Sequence, residues 1–164
     1  MFGTIIETIK NTIDPDRPAR LTRDMILKNY GDPGHEYESK YMTTWDVGAA
    51  HPWFEEQTKA SKIYCNKEFS VQLDRAFHDL QVVGVHTEIK TFDGCYNIRN
   101  TRGTGLISLH SWGMATDLNA SLEKLGQITT HWSDKFIEVM REHVYWGGDY
   151  KGRKDPMHFS LFGE

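Results

Sequence analysis

The chain has 164 residues, 19 Lys and Arg against 23 Asp and Glu, a formal net charge of −4, and 8 His beside only 2 Cys. This length suits one compact domain that buries enough surface to fold without staples, and 38% hydrophobic residues with 14 Gly exclude a disordered or fibrous chain. No basic block marks a nucleic-acid partner, and no run approaches the ~20 apolar residues that span a bilayer.

Phe2, Ile5, Ile6, Ile9 and Ile13 fall at helical spacing, which predicts an amphipathic helix over residues 2–12. The same stretch does not read as a secretory signal, because it lacks a charged start and Glu7 and Lys10 interrupt it. A loop follows at Asp14 to Pro18. Thr22 is the expected N-cap of a helix near 23–30, stopped by Gly31. Residues 31–53 mix Gly, Pro, His, Tyr and Trp and are expected to be irregular, either a loop packed on the core or a wall of the site.

Asn66 is placed to cap a long helix whose core stripe is Phe69, Leu73, Ala76, Phe77 and Leu80. A turn at Val82 to Val85 then leads into an expected strand from His86 to Thr91. Another helix is expected from about Thr130, with Trp132, Phe136, Val139, Met140 and His143 at the same spacing. Val144 to Trp146 and Met157 to Phe162 read as strands. Helices and short strands mix without βαβ alternation, which predicts an α+β fold with a small, mainly antiparallel sheet and helices packed on it.

Cys65 and Cys95 cannot form a CxxC motif. They are either two buried thiols, which fits the low cysteine use of a reducing compartment, or one disulfide. The chemistry therefore shifts to His and carboxylates. In His110-Ser111-Trp112-Gly113-Met114-Ala115-Thr116-Asp117, a continuous strand would send His110 and Asp117 to opposite faces. A bend at Gly113 lets them converge, with Asp117 and Asn119 then on one face. In Asp155-Pro156-Met157-His158-Phe159, Pro156 keeps Asp155 out of the helical region. Each piece on its own also fits an ordinary hydrogen-bonded pair. Together, His110, Asp117 and His158 make three protein ligands with a fourth position open, the arrangement of catalytic zinc. Asp155 stands where a proton carrier would work.

Ser108 to Asn119 resembles the first metal motif of the zinc D-alanyl-D-alanine carboxypeptidase and L-alanyl-D-glutamate endopeptidase family. Trp146-Gly147-Gly148-Asp149 followed by Asp155 to Phe159 resembles the second. Thr91 to Arg99 is similar to the segment that precedes the first motif in phage-encoded members. The resemblance covers residues 60–164 in the right order. It implies the small α+β fold shared by Hedgehog domains and DD-peptidases, with a single zinc site. It implies one Zn2+ per chain, held by His110, Asp117 and His158, with Asp155 as general acid/base. It also implies an upstream arginine at the oxyanion, Arg99 first and Arg102 in reserve, with a surface ion pair as the other reading of Arg99.

Ser108, Tyr96, Trp112 and Trp146 are candidate substrate contacts, with core packing an equal reading for Trp112. The remaining histidines are expected to be structural or on the surface, His86 being the first choice if a ligand needs support. The expected organisation is an N-terminal helical or irregular extension over 1–60, packed on the same domain, and a peptidase core over 61–164. The expected partner is the peptide stem of bacterial peptidoglycan, with no nucleic acid and no membrane insertion, and the chain acting as a monomer. Synthesis in the cytoplasm without a signal, followed by action on the wall after phage lysis or as a virion component, fits an endolysin-like enzyme. A D-alanine-removing carboxypeptidase or dipeptidase, and a non-catalytic zinc module of a wall-binding or virion protein, are the other readings.

Overall fold

The computed structural model describes residues 17–163, so the helix expected over 2–12 lies outside the described residues. Helix α1 (Arg23–Tyr30) forms where its caps predict: the Thr22 hydroxyl accepts the Met25 N–H at 3.3 Å, and Gly31 ends the helix at φ 79°. Residues 31–53 correct the expectation of irregular chain. They hold α2 (His35–Tyr41), strand β1 (Met42–Trp45), α3 (Val47–Ala50) and the start of α4 (Pro52–Thr58). These elements are too short to repeat a hydrophobic period, which needs a window of roughly 11 residues to show. Tertiary burial holds them instead, with Tyr37, Val47, Trp53 and Phe54 all in the core.

Strand β2 (Ile63–Asn66) pairs antiparallel with β1, Met42 opposite Asn66 and Trp45 opposite Ile63. Its last residue caps helix α5 (Lys67–Val83): the Asn66 carboxamide oxygen accepts the Glu68 and Phe69 N–H groups at 2.9 and 3.2 Å. Phe69, Leu73, Ala76, Phe77 and Leu80 form the expected stripe and are fully buried. Burying one such large side chain stabilises the fold by roughly 1.5–3 kcal/mol. Gly84 closes the helix at φ 82°, and the Val85 N–H bonds back to the Leu80 carbonyl.

The long helix α5 packs on α6 (Asp134–His143). Helix α6 starts later than expected because the Ser133 hydroxyl caps the Phe136 N–H at 3.1 Å. Upstream, buried Glu123 takes the Thr130 hydroxyl and the His131 N–H, both at 2.7 Å, and keeps them out of the helix. A second sheet has the order β3 (Ala115–Asp117), β5 (His158–Ser160), β4 (Tyr145–Trp146), all antiparallel. The fold is thus α+β, with six helices and small antiparallel sheets among the described residues. No helix among these residues is long and apolar enough to cross a membrane.

The strand expected from His86 to Thr91 is absent; His86–Glu88 is a single 3-10 turn and irregular chain follows. Asn119 explains it. Its side-chain oxygen accepts the Lys90 and Thr91 N–H groups at 2.7 and 3.0 Å, and its amide donates to the Glu88 carbonyl at 2.8 Å. One side chain does the work of a neighbouring strand. Asn119 itself lies past β3 with φ 53°, so it does not share a strand face with Asp117 as the spacing predicts. Asn119→Ala removes three hydrogen bonds from a residue only 3% exposed. The expected loss is about 2–4 kcal/mol, read in urea as a lower midpoint at unchanged slope. A midpoint within error of wild type would show that water replaces the carboxamide.

Candidate metal centre

Ser108 opens the first half of the site. Its hydroxyl accepts the His110 N–H at 3.4 Å and starts a 3-10 turn over Leu109–Trp112. Gly113 ends the turn at φ 62°, and a Cβ there would fall 2.6 Å from Met42 Cε and 3.0 Å from the Asn66 backbone nitrogen. Both the backbone angle and the space therefore require glycine. This is the bend expected from the spacing, although His110 sits in a turn and not in a strand. Beyond it, β3 carries Asp117 into register with His158 on β5.

The three side chains converge. Asp117 Oδ2 lies 3.4 Å from His110 Nε2, and Asp117 Oδ1 lies 3.3 Å from His158 Nδ1. The two imidazole centroids are 5.2 Å apart, and one potential ligand atom from each residue falls within 4.8 Å of the others. The site is shielded, with side-chain exposures of 4% for His110, 7% for His158 and 17% for Asp117.

A backbone group sets the state of His110. Its Nδ1 is 2.6 Å from the Cys95 carbonyl, which can only accept, so Nδ1 carries the proton. Nε2 therefore faces the Asp117 carboxylate at 3.4 Å, donating to it while the ring is protonated and offering its lone pair to a metal once that proton is lost. Burial opposes the charge on Asp117, but hydrogen bonds and charges from His110 and His158 outweigh it and hold the carboxyl well below the ordinary range. The result is an ionised oxygen donor between two nitrogen donors, one of them oriented by a backbone carbonyl. This set fits a tetrahedral zinc ion with one position left for water or substrate.

Asp155 is placed by a tight turn. Its N–H donates to the Gly147 carbonyl at 3.0 Å, and its carbonyl accepts the His158 N–H at 3.1 Å. The intervening Pro156 carbonyl accepts two indole N–H groups, from Trp132 at 3.0 Å and Trp146 at 2.8 Å. A Cβ at Gly147 would come within 2.3 Å of the Asp155 carbonyl oxygen, 3.0 Å of Asp155 Cβ and 3.1 Å of His158 Cβ. Gly147→Ala therefore has to push Asp155 and His158 apart from their present positions. If the centre is hydrolytic, the expected outcome is a rate lower by about 100-fold, the scale of a displacement near 1 Å at a working group. Rates compared with circular dichroism of the same samples check it, and full activity in a folded variant would show that the turn relaxes freely.

The sequence expectations for substrate contacts meet mixed placements. Trp112 is corrected: its ring is fully buried and its N–H donates to the Gly31 carbonyl at 2.9 Å, so it belongs to the core and floors no groove. Ser108 is buried at 3% exposure and serves the turn that carries His110. Trp146 is half-buried and its N–H is committed to Pro156, so the close approach at Gly147 serves the chain's own Asp155 turn.

Tyr96 is half-buried, edge-on to Tyr64 at 5.3 Å. Burial and then the Glu38 carboxylate push its phenol up to about 12. Arg99 is half-buried on a hairpin whose backbone is pinned to the His110 turn, its N–H donating to the Ser111 hydroxyl at 3.0 Å and its carbonyl accepting the Ser108 N–H at 2.9 Å. Arg102 is exposed in the turn beyond.

The other histidines lie away from the cluster. His51 meets Asp74 at 2.8 Å, and His143 meets Asp79 at 2.7 Å in a brace between α6 and α5. His86 stands against Trp53 at 5.1 Å, so support for His110 comes from the Cys95 carbonyl instead. Sequence reasoning missed that carbonyl, since a backbone oxygen has no residue-type signature. It also missed Trp132, whose indole joins Trp146 on Pro156. The Trp-Gly-Gly run was the available signal for the turn, but not for what it approaches.

Residues 101–161 match the family model described as D-alanyl-D-alanine carboxypeptidase. The matched stretch contains His110, Asp117, Asp155 and His158, and Arg99 precedes it. The match supports this metallopeptidase family, and the observed α+β fold is consistent with it. No curated protein matches the chain.

Proposed function

We propose that this chain is a zinc-dependent peptidase that hydrolyses an amide in the peptide stem of bacterial peptidoglycan. The observation that carries the reading is the convergence of His110 and His158 on Asp117, with Asp155 fixed one tight turn before His158. His110 Nε2, the Asp117 carboxylate and His158 Nδ1 would hold one zinc per chain. Zinc bound there supplies a Lewis acid that polarises a substrate carbonyl and makes water a nucleophile near neutral pH.

The chain's own residues do the rest. The Asp155 carboxylate takes a proton from the attacking water and returns it to the departing amine. The Asp155 turn, held at both ends by backbone bonds and in the middle by two indoles, keeps that carboxylate from swinging away. Arg99 is proposed to face the oxygen on which negative charge develops, where a well-aimed donor contributes roughly 3–4 kcal/mol.

The proposed bond is L-alanyl-D-glutamate, as in phage endolysins, on the similarity of Thr91 to Arg99 to phage-encoded members. Such an enzyme works as a monomer, is made in the cytoplasm and reaches the wall on lysis or with the virion. A second reading, removal of terminal D-alanine, draws on the description of the matched family.

Mass spectrometry of digested peptidoglycan separates the two. New amino termini at D-glutamate with falling turbidity are expected. Free D-alanine without a turbidity change replaces the first reading by the second. A zinc-loaded protein that releases no product overturns both and leaves a binding module.

A further inference from the structure

A second set of metal-ligating side chains lies outside the centre described above, where α6 packs on α5. Asp79 comes from α5, and Glu142 and His143 come from the last turn of α6. One potential ligand atom from each falls within 4.8 Å of the other two. His143 Nε2 stands 2.7 Å from Asp79 Oδ2. The His143 side chain is 7% exposed and that of Asp79 41% exposed, so the imidazole is fixed in the helix interface while the carboxylate side is open to solvent.

The charges at this point do not balance. Glu142 makes no hydrogen bond or ion pair among the described residues, although its carboxylate belongs to the cluster. The nearby cations of α6 are committed elsewhere, Arg141 to Asp149 at 2.5 and 2.9 Å and Lys135 to Glu138 at 3.4 Å. Two converging carboxylates repel one another, and the carbonyls of the last turn of a helix add negative potential. A divalent cation neutralises both carboxylates, and an imidazole nitrogen completes its ligand set.

We propose that Asp79, Glu142 and His143 form a second metal site, which takes a divalent ion of the zinc class through one nitrogen and two carboxylate oxygens. Imidazole with carboxylate suits Zn2+, Co2+ or Mn2+, whereas Ca2+ and Mg2+ ask for oxygen shells. Ligands of a tetrahedral ion stand roughly 3.3–3.6 Å apart. Seating one therefore parts His143 Nε2 from Asp79 Oδ2 by about 0.6–0.9 Å, a change that side-chain torsions supply. Water takes the fourth position on the open side. The ion ties α5 to α6 two residues before β4 begins. Because the site is half open, it holds its ion more weakly than the shielded His110 centre and loses it on desalting. This inference stands apart from the peptidase reading and does not depend on it.

The test is isothermal titration of zinc into metal-free Asp117→Ala protein, in which the first centre is disabled, and into the same protein carrying Glu142→Gln. Glutamine keeps the shape and removes the anionic ligand, and it breaks no contact that holds the fold among the described residues. One ion per chain is expected to bind the Asp117→Ala protein. Adding Glu142→Gln should weaken that binding by more than about 10-fold, the smallest effect seen for the outer partners of a metal site. Asp79→Asn, which keeps an oxygen towards His143, should weaken it as much. With free zinc about 100-fold above its dissociation constant, the melting temperature of the Asp117→Ala protein should rise by about 5–10 °C, and that of the Glu142→Gln version by much less. Equal zinc affinity with and without Glu142→Gln, the mark of adventitious binding at surface histidines, would overturn the proposal. So would absence of zinc binding by the Asp117→Ala protein. Comparing wild type with Asp117→Ala bears on the first centre alone, and the Glu142→Gln comparison on the second alone.

Discussion

Asp155→Asn is expected to keep the metal and lose the reaction. The substitution preserves side-chain shape and leaves the backbone bonds to Gly147 and His158 in place. It removes the carboxylate that the turn carries three residues before His158. Loss of a positioned general acid/base lowers turnover by about 100- to 10,000-fold. Zinc content measured on the same preparation should remain near one ion per chain, because Asp155 is outside the converged ligand group. Retained hydrolysis would remove Asp155 from the mechanism. Lost zinc would instead make the carboxylate a ligand or a structural support, and the proposed division of roles would fall.

Asp117→Ala is expected to do the opposite, abolishing metal retention first. This carboxylate touches both imidazoles, at 3.4 and 3.3 Å. Its removal takes away the anionic ligand and the atoms that orient His158. Changing even the outer partners of a metal site costs roughly 10- to 100-fold in affinity, so loss of the ligand itself should exceed about 100-fold. Competition with a chromogenic zinc chelator measures it. The backbone pairing of Asp117 with His158 across β3 and β5 survives in the variant, so the fold should persist. Wild-type zinc affinity in a folded Asp117→Ala protein would rule the cluster out as the metal centre.

The two substitutions separate holding an ion from moving a proton, and the structure explains why the roles split. Asp117 is part of the shielded cluster, and its charge is stabilised by two imidazoles. Asp155 belongs to a turn whose geometry is set by backbone and indole contacts. Gly147 connects them, because a methyl there would meet Asp155 and His158 together.

Much of the fold was legible before any coordinates. The caps Thr22 and Asn66, the terminators Gly31 and Gly84 and the buried stripe of α5 act over a few residues, so local chemistry decides them. The short elements between 31 and 58 were not legible, because four to seven residues show no period and tertiary burial and pairing with distant chain stabilise them. The missing strand at His86 to Thr91 has a different cause. Its backbone groups found a partner in Asn119, distant in sequence, and a side chain can replace a strand without leaving a pattern.

The length, the −4 charge and the two cysteines among eight histidines pointed from the start to a single domain with nitrogen and oxygen donors. The sequence by itself also determined the residue types at His110, Asp117, Asp155 and His158 and the glycine bend between the first two. These follow from ligand chemistry and local backbone angles. Only the tertiary structure decided that Trp112 is core, that Trp132 and Trp146 share the Pro156 carbonyl, and that the Cys95 carbonyl fixes the His110 tautomer. Each of those depends on where a backbone oxygen or a buried ring ends up after packing. That placement is set by contacts between distant segments, and residue spacing carries no record of it.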